Sequence, residues 1–215
     1  ILREAEDIAA GFHVGDHLVG SVAFAHGLLS LWRGALAETI ERLEPIAELG
    51  LGGGRGPLLT IASAQYTLAD AWFRTGRWDE AVTLAETLAE WLDDADQPRP
   101  APMAHSVAAF VHAARGNVAA ADRHVETARH IAVATSSAAA MLWAETADAR
   151  LAAARDRHDD VVRILEPFAK LSRDLPLPEG VQPFRADLIE ALVAVDRVDD
   201  AVVELDELRR RVHGD

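Results

Sequence analysis

The chain has no cysteine, one tyrosine and few aromatic residues, and each shortage narrows what it can be. Without cysteine no disulfide can form, so a reducing cytoplasm is the simplest environment for it. No apolar run approaches the ~18 residues that a membrane-spanning helix needs, and no charged-then-apolar signal segment opens the sequence. We therefore expect a cytoplasmic chain that does not enter a membrane.

Basic residues are too few for this chain to bind nucleic acid directly. The sequence holds 21 Lys and Arg against 35 Asp and Glu, which gives a formal net charge of −14 at pH 7. Duplex binding depends on Lys and Arg that neutralise phosphates. A phosphate-binding loop also requires Gly-Lys followed by Ser or Thr, whereas Lys170 is the single lysine and follows Ala169.

A local pattern instead recurs at a nearly constant interval. Its anchors are separated by 42, 40, 40 and 40 residues; they are Gly34, Gly76, Gly116, Asp156 and Asp196. A fixed period in this range, built from two helical segments, is the signature of an α-solenoid. The sequence therefore predicts an all-α, right-handed α-solenoid of antiparallel helix hairpins with a period of about 40 residues.

Glycine and proline divide the predicted single domain, 1–215, into repeats. A half repeat is predicted at 1–12, and helix pairs are predicted at 16–50, 57–95, 102–135, 136–172 and 183–213. Three prolines between 98 and 102 end the fourth helix, and Ser136 or Ser137 is expected to cap the helix that follows. Because Ile1 opens in the middle of a helical pattern, we expect a fragment of a longer protein.

Two predicted second helices contain a proline at the same place in the repeat. Pro45 and Pro167 lie in the matching heptapeptides 43–49 and 165–171. Proline removes one backbone hydrogen bond from a helix interior. A bend is therefore predicted at each of them.

Around Gly76 the pattern resembles the tetratricopeptide repeat. The matching residues are Ala69, Gly76, Trp78, Asp79, Glu80 and Ala81. The other copies depart from that motif, since Asp replaces Gly at 156 and 196 and the period exceeds the 34 residues typical of the motif. Such longer repeats, most clearly at 183–201, resemble the superhelical region of large ATP-binding LuxR-type (maltose-activator-like) transcriptional regulators of actinomycetes.

The resemblance implies a non-catalytic arm that senses or scaffolds, and no enzyme activity is expected. In such regulators ATP binds an N-terminal module and DNA binds a C-terminal helix-turn-helix, and neither pattern occurs here, so no cofactor is expected in this chain. A protein partner or a small-molecule inducer is the implied ligand. A homodimer through exposed terminal faces is also expected. The alternative is a free-standing tetratricopeptide adaptor that assembles proteins.

The resemblance also implies a binding surface, because the first helix of each pair lines the concave side of tetratricopeptide folds. The candidate residues are Phe24, Tyr66, Asp70, Phe73, Arg74, Phe110, Trp143 and Arg150. Aromatic faces beside an Arg and an Asp suit a small polar ligand or a peptide. The alternative is that these side chains pack between neighbouring helices.

No metal site and no catalytic arrangement are predicted. His13 and His17 lie four residues apart but lack a third ligand, so a surface pair is favoured. His124 and His130 are six residues apart and do not share a helix face. The glycine-rich segment 50–56 lacks the dinucleotide-binding spacing and follows a helix, so a linker is predicted there.

Overall fold

The structure is a computed structural model that describes residues 16–48, 50, 58–173 and 179–213. These residues form ten α-helices and a short 3-10 helix, with no β-strand among them. The helices are α1 (Asp16–Trp32), α2 (Leu36–Ala47), α3 (Leu58–Arg74), α4 (Trp78–Asp94), α5 (Ala101–Ala114), α6 (Val118–Ala134), α7 (Ala138–Ala154), α8 (His158–Ser172), α9 (Phe184–Ala194) and α10 (Val198–His213). The prediction of an all-α repeat fold is confirmed, while the half repeat at 1–12 lies outside the described residues.

Proline decides the two details in which the helices differ most from expectation. Helix α5 begins at Ala101 rather than Met103, because Pro102 lies in the first turn, where its missing N–H is not needed. Helices α2 and α8 continue through Pro45 and Pro167 without a break. The bend at each proline stays a prediction.

The turn inside each hairpin has one conformation, which the repeat anchors determine. Gly34, Gly76 and Gly116 have φ of 75°, 84° and 71°, and Asp156 and Asp196 have φ of 58° and 61°. The next residue donates its N–H back to the preceding helix, as in Arg77 N–H to the Trp72 carbonyl at 2.8 Å. A left-handed residue followed by this bond is the Schellman helix end. The register read from the sequence is therefore confirmed at all five anchors.

The turns between hairpins repeat the same geometry. Asp96 and Ser136, 40 residues apart, have φ of 52° and 51°. Ser137 then accepts the Ala140 N–H on its Oγ at 3.2 Å and caps α7. This confirms one of the two capping serines that the sequence offered.

Small side chains let the first helices of successive hairpins stack. Helix α1 packs on α3, α3 on α5, α5 on α7 and α7 on α9, in addition to the contacts within each hairpin. Ala69, Ala108 and Ala147 are fully buried in the largest core cluster. The first helices thus form a continuous layer, which is the layer that carries the candidate binding residues.

The segment before α9 crosses back over this layer. Its 3-10 helix, Glu179–Val181, packs against α1 and α10. A Cβ atom on Gly180 would lie 2.3 Å from the Trp32 carbonyl oxygen. The Gly180 carbonyl accepts a hydrogen bond from Arg74 Nη1 at 3.1 Å. A segment that the sequence marks as a linker therefore joins the last hairpin to the first two. No described helix is both long and apolar enough to cross a membrane.

Candidate functional site

Four candidate aromatic residues form a ladder along the first helices. The Tyr66 and Trp143 rings meet edge to face with centroids 5.8 Å apart. Trp143 stacks on Phe110 at 6.0 Å, and Phe110 contacts Phe73 at 5.8 Å. The ladder joins α3, α5 and α7. The structure therefore brings together residues that are up to 77 positions apart in sequence.

Arg150 covers the lower rungs of this ladder. Its guanidinium carbon lies 4.3 Å from the Phe110 ring centroid and 5.5 Å from that of Phe73. Its Nε donates to Asp187 Oδ2 at 3.0 Å, which ties α7 to α9. The cation therefore contacts two aromatic faces and one carboxylate.

Asp70 and Arg74 form a buried ion pair beside the ladder. Arg74 Nη2 lies 2.6 Å from Asp70 Oδ2, and the Asp70 side chain is 1% exposed. The pair is close but poorly aligned, because neither Asp70 oxygen accepts a well-directed hydrogen bond among the described residues. Removing one partner would leave a buried charge without compensation.

Phe24 does not join this group. It packs against a separate cluster in the first two hairpins that contains Leu43, Ile46, Ala64 and Leu68. Drift of the repeat at the 42-residue interval separates the first hairpin from the even spacing of the later ones. The structure thus brings seven of the eight candidate residues together.

Burial limits what these residues can offer to a ligand. Phe110 is 1% exposed and Trp143 is 7% exposed, whereas Tyr66, Phe73, Arg74 and Arg150 are half-buried. Burial raises the pKa of the Tyr66 phenol, and a hydrogen bond with Ser63 partly offsets this. The four half-buried residues leave edges rather than full faces for binding. Their role in binding stays a prediction.

A second polar group lies where the second and third hairpins meet. We call Glu86 and Asp93 of α4, His105 and His112 of α5, and His124 of α6 the histidine cluster. His112 Nε2 lies 2.8 Å from Glu86 Oε1, and His124 Nε2 lies 3.7 Å from the same oxygen. His105 Nδ1 lies 2.9 Å from His124 Nδ1, and its Nε2 lies 3.2 Å from Asp93 Oδ2.

The electrostatics of the cluster favour neutral imidazoles at neutral pH. Burial lowers the pKa of His124 to about 4, and the neighbouring His105 and His112 add to this effect while Glu86 opposes it. Burial also lowers the pKa of His105, against the opposing effect of Asp93. A neutral imidazole keeps one nitrogen lone pair, which is what a metal ion or a hydrogen-bond donor requires.

Sequence reasoning missed the histidine cluster because it considered histidines along one helix at a time. The signal that could have found it is a pair of seven-residue spacings. His105 and His112 are two turns apart on α5, and Glu86 and Asp93 are two turns apart on α4. In an antiparallel pair of helices these two spacings place each acid opposite one histidine.

Comparison with known proteins supports the fold. The family model described as Tetratricopeptide repeat matches residues 62–87 and 102–127. A solved structure of a Podosopora anserina putative kinesin light chain with nearly identical TPR-like repeats is 19% identical, covering 87% of this chain and 92% of that one, with a TM-score of 0.53. A glutamine-to-methionine variant of that protein gives 19% identity, 87% and 91% coverage and a TM-score of 0.54. No curated protein matched the chain.

Proposed function

We propose that this chain is a non-catalytic tetratricopeptide-like scaffold that binds a protein partner through an extended segment. We further propose that it serves as the sensing arm of a LuxR-type transcriptional regulator. The repeat matches at 62–87 and 102–127 support the scaffold role. The resemblance of the longer repeats to that regulator family supports the finer assignment. In this proposal ATP and DNA bind modules outside this chain.

The observation that carries the peptide-binding role is the hydrogen bond from Arg74 to the Gly180 carbonyl. An arginine on a first helix here holds the backbone of a segment that crosses the inner layer. The Asp70 carboxylate anchors the base of that arginine. Half-buried Tyr66 and Phe73 flank it on the same helix and offer aromatic edges to side chains of a bound segment.

Burial of the ladder favours a peptide over a small-molecule inducer. A small ligand needs a concave pocket that removes most of its surface from water. Phe110 and Trp143 present almost no surface for such a pocket. An extended peptide instead needs backbone hydrogen bonds and shallow contacts, which Arg74 and the half-buried rings can supply.

A thermal-shift screen of the chain against peptides, sugars and nucleotides tests this proposal. We expect peptides to raise the melting temperature and sugars and nucleotides to leave it unchanged. The double variant Asp70→Asn/Arg74→Gln removes both charges without leaving one of them buried, and it should abolish the peptide effect. Arg163→Gln, a surface substitution on α8, is the matched control and should leave it intact.

The outcomes separate the scaffold from its alternatives. A sugar or nucleotide hit would replace the peptide with an inducer, and a hit that survives Asp70→Asn/Arg74→Gln would move the site elsewhere. The genomic sequence on either side of the chain tests the regulator assignment independently. A phosphate-loop module upstream and a helix-turn-helix downstream support the LuxR-type regulator, whereas their absence supports a free-standing adaptor.

A further inference from the structure

Three ligand atoms from three helices converge in the histidine cluster. Glu86 Oε1, His112 Nε2 and His124 Nε2 lie within 4.8 Å of one another. Two of their separations are 2.8 and 3.7 Å. Neighbouring ligand atoms around a four-coordinate Zn²⁺ ion, with bonds of about 2.0–2.1 Å, lie about 3.4 Å apart. Side-chain shifts of about an ångström therefore suffice to surround an ion.

Hydrogen bonds behind the cluster determine which nitrogen of His124 is available. The Asp93 carboxylate only accepts, so His105 carries its proton on Nε2 and donates it to Asp93. Neutral His105 then accepts on Nδ1, and His124 donates its own Nδ1–H there. This leaves the Nε2 lone pair of His124 directed towards Glu86 Oε1.

Two acceptors facing each other at this distance call for a positive group between them. The Glu86 carboxylate also receives His112, whose Nε2 lies on the same oxygen. The Asn117 amide lies 3.4 Å from His112 Nδ1 and, through its oxygen or its nitrogen, can fix either tautomer of that ring. All three ligand atoms can therefore present lone pairs to one point.

We propose that Glu86, His112 and His124 bind a divalent transition-metal ion of the Zn²⁺ class. Two imidazole nitrogens and one carboxylate oxygen are a donor set that Zn²⁺ and Co²⁺ share. His105 and Asp93 are positioning residues, because they hold His124 through its second ring nitrogen, as partners of metal-bound histidines do. This inference does not depend on the proposed peptide site.

The location of the site gives the ion a structural role. Glu86 belongs to the second hairpin and both histidine ligands to the third, so the ion would cross-link two adjacent repeats. The side chains of Glu86, His112 and His124 are 40%, 13% and 17% exposed, which leaves a path for the ion from solvent. The fourth coordination position faces that path and can hold water.

Titration of the chelator-treated, desalted chain with Co²⁺ and then Zn²⁺ tests the site. We expect one ion per chain, the intense visible bands of four-coordinate Co²⁺, their loss when Zn²⁺ displaces it, and a higher melting temperature with metal. Glu86→Gln and His124→Gln should each weaken binding at least tenfold. Asp93→Asn should weaken it tenfold to a hundredfold without removing any ligand.

His130→Gln is the matched control, because His130 lies exposed on the same helix as His124, and binding should be unchanged. Circular dichroism in chelator establishes that each variant is folded. If His124→Gln does not fold, Glu86→Gln, a nearly isosteric change at a partly exposed side chain, decides alone. No binding by the unmodified chain, or undiminished binding by Glu86→Gln, would overturn the site and leave other members of the chain's nine histidines as the metal ligands.

Discussion

Tyr66 is the single tyrosine of the chain, so its ionisation can be followed without a label. Burial raises the pKa of its phenol. Titration of phenolate absorbance should therefore give an apparent pKa above the ordinary value of about 10 in the folded chain. The same titration in denaturant should return the ordinary value. An ordinary pKa in the folded chain would mean that the Tyr66 ring is open to solvent and free to bind a ligand.

The same shift has a defined sign for stability. Above a pH of about 10 the unfolded chain loses the Tyr66 proton while the folded chain keeps it. The folded state then binds more protons, so the contribution of Tyr66 to the free energy of unfolding falls as pH rises towards the folded pKa. Denaturant unfolding of the Tyr66→Phe variant should show a weaker alkaline loss of stability than the unmodified chain.

Single residues explain why the turns could be predicted and the binding surface could not. Gly76 and its counterparts need a left-handed conformation, a requirement that glycine reveals in the sequence and that Asp196 still meets in the structure. Tyr66 and Trp143 lie on the predicted face, yet their contact with each other depends on how closely three hairpins stack. Helical periodicity determines the face but contains no information on that distance.

Helix boundaries were predictable because they depend on neighbours in sequence. Gly34 ends a helix pattern, the prolines at 98 and 100 end another, and Ser137 begins a third, all through local backbone effects. The histidine cluster draws on α4, α5 and α6, so its chemistry appears only once the antiparallel pairing of those helices is known. Contacts between helices, rather than the helices themselves, were the part that sequence reasoning missed.

Helix α8 offers a test of how a helix tolerates an internal proline. Pro167 is exposed and lies five residues before the helix ends, so Pro167→Ala removes little packing and restores one backbone hydrogen bond. We expect urea unfolding to show a gain of about 1–2 kcal/mol, because the cost of ~3 kcal/mol for an interior proline is partly offset by its effect on the unfolded chain.

Pro183→Ala is the control for that measurement. Pro183 lies at the N-cap of α9, where its missing N–H costs the helix nothing, so we expect a change of less than about 0.5 kcal/mol. A neutral or destabilising Pro167→Ala would mean that the helix has bent around the proline and that neighbouring side chains pack against the bent form.

At the scale of the whole molecule, the segment around Gly180 makes the solenoid more than a chain of nearest neighbours. Repeats that contact only adjacent repeats unfold piecewise from their ends. Here the segment before the last hairpin packs against α1 and accepts a hydrogen bond from α3. The first and last hairpins should therefore unfold together rather than independently.

Gly180→Ala tests this coupling. The added Cβ would lie 2.3 Å from the Trp32 carbonyl oxygen and 2.7 Å from that of Leu31, so the segment must move away from α1. We expect a loss of about 1–3 kcal/mol in the free energy of unfolding, typical of overpacking. Amide hydrogen exchange should also accelerate at the end of α1, around residues 29–35, although the substitution lies in the last third of the chain.

Gly116→Ala separates this local effect from a general loss of stability. Gly116 has a left-handed φ of 71° and open space around it, so alanine there strains a turn in the third hairpin without touching α1. At matched stability, exchange at 29–35 should be faster in Gly180→Ala than in Gly116→Ala. Equal exchange in the two variants would mean that the segment merely rests on α1, and the ends of the solenoid would then open independently, as in a simple repeat array.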